Sequence, residues 1–472
     1  MAQAQENPSS YLIELAHLRR DGEVPLYVQM AERLARAIAE GELKPGERLP
    51  AGRDLAKLAG TTPVTVSQAF RRLRDKGLAV SRVGSGTYVA GMAAPQAAPA
   101  AIPDFIHCDR REPPASLFPT EVVRRIMDRI LDEEGGEAFA YGEPGGYGPL
   151  REVLLAQLVD EGFATANRDL VVFSGAQQAL SLLLRSHVQP GDRVLVERPT
   201  YPGMLRLLER TGARVEMVDT GPGGPDPERI GQLLRFRPVR LFYTMPLYHN
   251  PTGVCWSPDR QRHIARLCEE NGVTLVEDDA LGVLDYGAGR QRPPSVTVPA
   301  CRSTVHIRSF SLLLMPGFRL GFCLAPRDLA NSLKRAKEQA DLLSSGFFQR
   351  VLCRIISEGH LKRHLAVIEP YYRDLFQQAL AVAKQTLEPA GFAICPPLGG
   401  PSLWCRLPAG IAPAAFQRAC IRQGVGIRPG AGYALDEATA DSFALEFGHL
   451  PPRHFAAACE RLRAAGANPG AG

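Results

Sequence analysis

The chain has 472 residues, is 45% hydrophobic and 22% charged, and carries a formal net charge of +5. Those proportions are ordinary for a globular protein of two to four domains with a large core. No apolar run approaches the roughly 18 residues of a membrane-spanning helix, and the small basic excess does not by itself establish a nucleic-acid partner.

The N-terminus, MAQAQENPSS, lacks the apolar centre of a secretory signal, which places the protein in the cytoplasm with no membrane association. The stretch 25–43, PLYVQMAERLARAIAEGEL, sets Val28, Ala31, Leu34, Ala35 and Ile38 on one face, the spacing of an amphipathic helix. LKPGERLP breaks that pattern, and 52–58 makes a second, short helix. Thr62 and Pro63 are an N-cap and a first helical residue for a third helix that runs to Gly77. Two short β-type runs then join through VGSG in LAVSRVGSGTYVA. Helix, helix, tight turn, helix and hairpin make a winged helix-turn-helix, in which the last helix enters the DNA major groove and the hairpin touches the backbone or minor groove. Residues 65–82 carry Arg71, Arg72, Arg74, Lys76 and Arg82 against Asp75 alone, a local excess suited to phosphate contacts.

The Ala/Pro run at 91–103, GMAAPQAAPAAIP, is a semi-stiff linker. It separates residues 1–90 from a long segment that begins at 104. The long segment alternates near-continuous apolar strands at 169–173, 193–197, 240–245 and 273–278 with helix-length stretches. That alternation predicts a mostly parallel sheet covered by helices on both faces, with ligands at the carboxyl ends of its strands. The first of these strands turns through Ser174, Gly175 and Ala176 into a helix, a start whose free N–H groups can cradle a phosphate. Many strand-to-helix turns look alike. HNPTG at 249–253, EDD at 277–279 and Arg319 fall at or just beyond further strand ends. The ten cysteines show no CxxC pair and the histidines no metal-ligand spacing, which predicts reduced thiols and no metal site.

PLYVQ, GELKPGERLPAGRDLA, TVSQAFRRLRDKGL and GSGTYVA resemble the GntR-type winged helix. That resemblance implies DNA contacts by Arg53, Thr62, Thr65, Ser67 and Arg71, with Ser85 and Gly86 in the wing. Pro63 departs from it, standing where the family often has an arginine. From YGEPGGYGPLR onward the chain is similar to the fold-type I aminotransferases, with a small α+β C-terminal subdomain, and the combination resembles the MocR subgroup of GntR regulators. It implies a pyridoxal 5′-phosphate pocket: Ser174, Gly175, Ala176, Ser309 and Arg319 on the phosphate, Tyr201 stacked on the ring, Asn250 on the ring hydroxyl and Asp278 on the ring nitrogen. The family's Schiff-base lysine aligns with Leu312, an expected tyrosine with Leu281 and the substrate-carboxylate arginine with Ala444. No lysine occurs between Gly77 and Leu333, and Lys334 and Lys337 have the look of a helical surface pair. No residue is therefore assigned as catalytic, and any bound cofactor is non-covalent.

The leading expectation is a homodimeric regulator of double-stranded DNA whose aminotransferase-like domain senses a small effector without transaminating. Two readings stay open beside it: an active aminotransferase with an appended DNA-binding domain, and a regulator whose large domain binds no cofactor and serves dimerisation.

Overall fold

The computed structural model describes residues 24–469 with Leu15 and Leu18, apart from 40–41, 44–45, 76–77, 83–85, 90–101, 283, 285, 287–302 and 396. The chain divides into two units, Met1–Ala101 and Ile102–Gly472. Most of the expected linker lies outside the described residues. Pro103 belongs to the second unit, where its carbonyl accepts a hydrogen bond from Arg461 Nη2 at 3.1 Å.

In the first unit, α1 (Leu26–Ala39), α2 (Gly52–Leu58) and α3 (Pro63–Asp75) precede the hairpin of β1 (Ala79–Arg82) and β2 (Gly86–Val89). The hairpin is antiparallel from Ala79↔Val89 to Arg82↔Gly86. Helix α1 buries Met30, Ala31, Leu34 and Ala37, and α3 buries Val66, Ala69, Phe70 and Leu73, in one shared core. Of the expected stripe, Ala31 and Leu34 are buried and Ala35 and Ile38 pack half-buried against the core, Val28 stays outside it, and Met30 and Ala37 join it. Thr62 caps α3 as expected, its Oγ1 accepting from Thr65 N at 3.3 Å.

The second unit begins with a short strand, β3 (Ile106–His107), and continues with β4 (Arg168–Phe173), β5 (Arg193–Arg198), β6 (Arg214–Gly221), β7 (Gly224–Pro225), β8 (Val239–Thr244), β9 (Thr274–Asp279), β10 (Val305–Ser309) and β11 (Gly321–Pro326). The last eight form one sheet in the order β4-β11-β10-β9-β8-β5-β6-β7. Strands β10, β9, β8, β5 and β6 pair in parallel. Strand β11 is antiparallel to both β10 and β4, so β4 points the same way as the parallel set. The four apolar runs read from sequence are β4, β5, β8 and β9.

Alternation along these strands sends side chains into different cores, which is why each run is apolar at nearly every position. Val171 and Phe173 of β4 pack with the helix Ala176–His187 on one face. Leu170 and Val172 pack with helices Thr120–Glu134, Gly148–Asp160 and Gly346–Ser357 on the other.

A second, antiparallel sheet in the order β12-β13-β16-β15 joins β12 (Ala393–Ile394), β13 (Ser402–Arg406), β15 (Arg428–Pro429) and β16 (Ser442–Glu446). Between β13 and β15, β14 (Val425–Gly426) pairs in parallel with β3. This pairing lays the segment around Ile106 onto the C-terminal part of the chain, although it precedes the main sheet in sequence. Among the described residues no helix is long and apolar enough to cross a membrane, and the nine described cysteines are free thiols.

One buried guanidinium fastens the middle of the main sheet. Arg308, 3% exposed on β10, donates to Glu161 at 3.0 and 2.8 Å and to Asp279 at 3.2 and 3.1 Å. Breaking a buried pair by removing one partner leaves charge uncompensated. Arg308→Leu should therefore destabilise the fold by about 3–5 kcal/mol, read as a lowered urea midpoint of the full chain.

Candidate functional site

The parallel strands end at one edge of the sheet, and the expected pocket residues lie there. Ser174–Ala176 follow β4, Tyr201 follows β5, Asn250 lies beyond β8, Asp278 is in the last turn of β9, Ser309 ends β10, and Arg319 precedes β11.

Ser174, Gly175, Ala176, Ser309 and Arg319 come together at the turn after β4. Gly175, at φ 88°, ends the β4 turn and brings no side-chain acceptor to the first turn of the helix Ala176–His187. The first amides of that helix remain available to an anion. Arg319 adopts the left-handed region, φ 49°, which a non-glycine residue seldom enters. Its Nη2 donates to the Ser174 carbonyl at 3.2 Å and its Nη1 to Ser311 Oγ at 3.4 Å. A Cβ on Gly175 would stand 3.1 Å from Arg319 Nη2, so glycine lets the guanidinium close over the turn. Ser309 Oγ accepts from Ser311 N at 3.2 Å. Behind the turn, Gln178 Oε1 accepts from Ser174 N at 2.7 Å and from Lys337 Nζ at 3.1 Å, while Gln178 Nε2 donates to Asp341 at 2.6 Å.

Lys337 corrects the surface pair expected from sequence: it is fully buried, and its ammonium also donates to Asp341 at 2.9 Å. Burial lowers its pKa, with Asp341 opposing that shift. Lys334 is partly buried and pairs with Asp169 at 2.5 Å.

Asp278 is 4% exposed. Tyr243 OH donates to its Oδ2 at 2.9 Å, and its Oδ1 has no partner. Burial pushes the carboxyl up to about 6, opposed by the Tyr243 hydrogen bond and assisted by Asp279. An unpaired, buried acceptor of this kind fits a protonated ring nitrogen. Tyr201 lies near enough for Asp278 to raise its phenol after burial has done so. Its hydroxyl donates to Gln177 at 3.0 Å and its ring rests on Gly203. Asn250 is buried with an unpartnered Oδ1. The turn at Ser174–Ala176 with Arg319, the unpaired oxygen of Asp278 and the buried Asn250 on one edge fit the groups of a pyridoxal phosphate.

Leu312 and Leu281 line a cleft with Arg111, Tyr286, Tyr372 and Gly448. Ala444, on β16, lies opposite Arg428 of β15.

On the first unit, Arg53 on α2, Thr62 at the cap of α3, Ser67 and Arg71 along α3 and Gly86 at the start of β2 are exposed, and Thr65 is half-buried. Ser85 lies outside the described residues, as do Lys76 and the side chain of Arg82. Arg74 Nη1 donates to Ser81 Oγ at 2.8 Å, and Ser81 shares a hydrogen bond with Thr87 at 3.1 Å. It ties α3 to the hairpin. A cleft of ≈ 370 Å³ runs between these elements, lined by Ser67, Arg74, Gly86 and Arg48.

Sequence reasoning missed Tyr243, Gln177, Gln178, Ser311, Arg111 and Arg48. Tyr243 is hidden in an apolar strand, where a continuous run conceals which face a residue takes. Arg111 follows another arginine in a stretch with no periodicity. A pocket-facing role for either is visible only once the strands are assembled.

Asp278 yields a pH test. Its folded pKa lies above the ordinary 3.8, so its contribution favours folding below about pH 4 and is lost as pH rises toward 6. Without added cofactor, wild-type stability should fall relative to Asp278→Asn by up to about 3 kcal/mol across that window, at 1.36 kcal/mol per unit. Paired urea titrations at several pH values read the difference.

The pattern of the family described as aminotransferase class I and II matches residues 115–462, and that of the bacterial regulatory proteins, gntR family, matches 26–89. The HTH-type transcriptional regulator YdcR of Escherichia coli (strain K12) is 28% identical over 436 residues, 87% of this chain and 92% of its own. A multiple substrate aminotransferase from Thermococcus profundus superposes with a TM-score of 0.75 at 25% identity, over 78% of this chain and 92% of its own. The α-aminoadipate aminotransferase LysN from Thermus thermophilus, complexed with N-(5′-phosphopyridoxyl)-L-leucine, gives 0.71 at 27% identity, over 78% and 93%. The chain thus belongs to the aminotransferase class I and II family and carries, ahead of that fold, a winged helix of the gntR family of bacterial regulatory proteins.

Proposed function

We propose that this protein is a MocR-type, DNA-binding transcriptional regulator whose aminotransferase-fold domain senses a small molecule and does not transfer amino groups. The observation that carries the reading is the match to a transcriptional regulator through both domains, 87% of this chain. Domains at 1–90, 104–345 and 346–472 with a linker at 91–103, homodimerisation and a cytoplasmic location belong to the same proposal.

Helix α3 enters the major groove, with Thr62, Thr65 and Ser67 toward the bases, Arg53 and Arg71 on phosphates, and the wing at Ser85 and Gly86 beside them. The apolar Pro63 offers no bidentate guanine contact, which leaves readout to hydroxyls and shape.

Pyridoxal phosphate, when bound, supplies a cationic ring that withdraws electrons from an attached carbon. Ser174, Gly175, Ala176, Ser309 and Arg319 hold its phosphate, Tyr201 covers one face, Asn250 meets its hydroxyl and Asp278 keeps its nitrogen protonated. Leu312 stands where the family's lysine would, and a hydrocarbon neither forms the covalent bond to the cofactor nor moves a proton at the reacting carbon. Lys337 does not replace it, because its ammonium is committed to Asp341 and Gln178 behind the turn. The alternative, an active pyridoxal-phosphate-dependent aminotransferase, draws on the fold shared with LysN and is opposed by Leu312. Steady amino transfer by the purified protein would establish it.

Two measurements test the proposal. The full chain should retard the DNA upstream of its own gene in a salt-dependent manner. Arg71→Ala should weaken binding evenly across sequences and reduce the log–log salt slope by about 1. Added pyridoxal phosphate should give near-visible absorbance that borohydride does not convert to a covalent adduct, whereas Leu312→Lys should produce a reducible one.

A further inference from the structure

Arg48 precedes α2 and carries no periodic signal, yet the fold brings it to the hairpin. Leu49 N donates to the Thr87 carbonyl at 2.8 Å, Val89 N to the Glu47 carbonyl at 2.8 Å, and Gly46 N to the Val89 carbonyl at 3.1 Å. Residues 46–49 therefore run beside β2 as a short third strand, antiparallel, with Arg48 opposite Tyr88. Alternation along that strand buries Leu49 and turns Arg48 outward. The guanidinium lies across Gly86, where a Cβ would stand 2.9 Å from Nε and 3.3 Å from Nη2. Gly86 adopts φ 114°, and a side chain there would push the arginine off the hairpin.

Arg74 reaches the same place from the opposite wall, on α3. Its Nη1 is held by Ser81 Oγ, which is bonded in turn to Thr87, so helix and hairpin keep a fixed separation. Between the two arginines lies the cleft of ≈ 370 Å³, to which Ser67, Ser81 and Thr87 add hydroxyls. Among the described residues no carboxylate lines it. Pro63 belongs to its wall and brings no charge, which leaves the cationic character of the cleft to Arg48 and Arg74. With α3 in the major groove and the hairpin against the neighbouring backbone, a DNA strand has to pass between them. A phosphodiester presents two anionic oxygens, and guanidinium groups match such pairs in both charge and geometry.

We propose that Arg48 and Arg74 clamp one backbone phosphodiester of the DNA strand passing between α3 and the hairpin. Arg48 supplies charge from a segment outside the helix-turn-helix, and Gly86 serves the clamp by letting that guanidinium lie flat. A contact of this kind fixes where the protein sits along the duplex without reading its sequence. The assignment rests on the DNA-binding reading of the first unit and adds to it a phosphate seat that neither α3 nor the hairpin forms alone.

The test titrates the full chain with the duplex from upstream of its own gene and with a scrambled duplex, each across a series of salt concentrations. Arg48→Gln should reduce the log–log salt slope by about 1 on both duplexes, and the double variant Arg48→Gln, Arg74→Gln by about 2. Arg48→Lys keeps the charge and should keep the wild-type slope. A neutral methylphosphonate at one backbone position should weaken binding by wild type and leave the double variant indifferent. An unchanged slope in Arg48→Gln, or an equal loss of slope in Arg48→Lys, would overturn the proposal. So would a double variant that responds to each methylphosphonate as wild type does. If the double variant does not fold, Arg48→Gln decides through its slope, because the side chain it alters is exposed. Wild type that binds neither duplex sinks the DNA-binding reading and the clamp together. Wild type that binds, with Arg48→Gln equal to it in affinity and slope, sinks the clamp alone.

Discussion

Strand direction governs where chemistry is possible in this molecule. A parallel strand must be reached again from the far end, so its carboxyl terminus always opens into a loop on the same edge of the sheet. Six strands obey that rule here, and β11 returns antiparallel between β4 and β10. The antiparallel strand begins at the edge where its neighbours end, which is why Arg319, just before β11, lands on the turn just after β4. Residues as far apart in the chain as Ser174 and Arg319 share one hydrogen bond because of this reversal.

Buried charge is handled in more than one way in this unit. Water is excluded from Asp278, Arg111, Glu446, Arg308 and Lys337 to different degrees. Arg308 is fully matched by two carboxylates, and Lys337 is matched by Asp341 and Gln178. Asp278 is matched on one oxygen only, and Arg111 on neither of two nitrogens. The matched groups fasten elements together. Asp278 lies in the second-to-last position of β9, and Arg111 lies in the irregular stretch after β3. Residual hydrogen-bonding capacity separates scaffold from pocket more clearly than burial does, since both sets are buried.

Much of the fold was legible in the chain itself. The order of helices and wing follows from a proline, a threonine cap and a glycine turn, signals that act within a few residues. The four apolar strands announced themselves by continuous β-type composition, and the turn into the next helix by Ser174 and Gly175 following one of them. Less was legible where meaning depends on partners distant in sequence. The stripe of α1 is wider than the spacing alone marks, with Met30 and Ala37 in the core beside Ala31 and Leu34. Lys337 looked like an exposed helical lysine because helical periodicity does not reveal that a neighbouring turn will enclose it. Arg111 has no periodic or compositional signal at all.

The carboxamide of Gln178 is gripped on both ends, its oxygen by Ser174 N and Lys337 and its nitrogen by Asp341. A primary amide otherwise swivels freely about its last torsion, and here such a swing would break three hydrogen bonds together. The loop beneath it is therefore cast in its receiving shape in advance. An anion docking there incurs little ordering entropy, and the strength of its attachment reflects the contacts themselves.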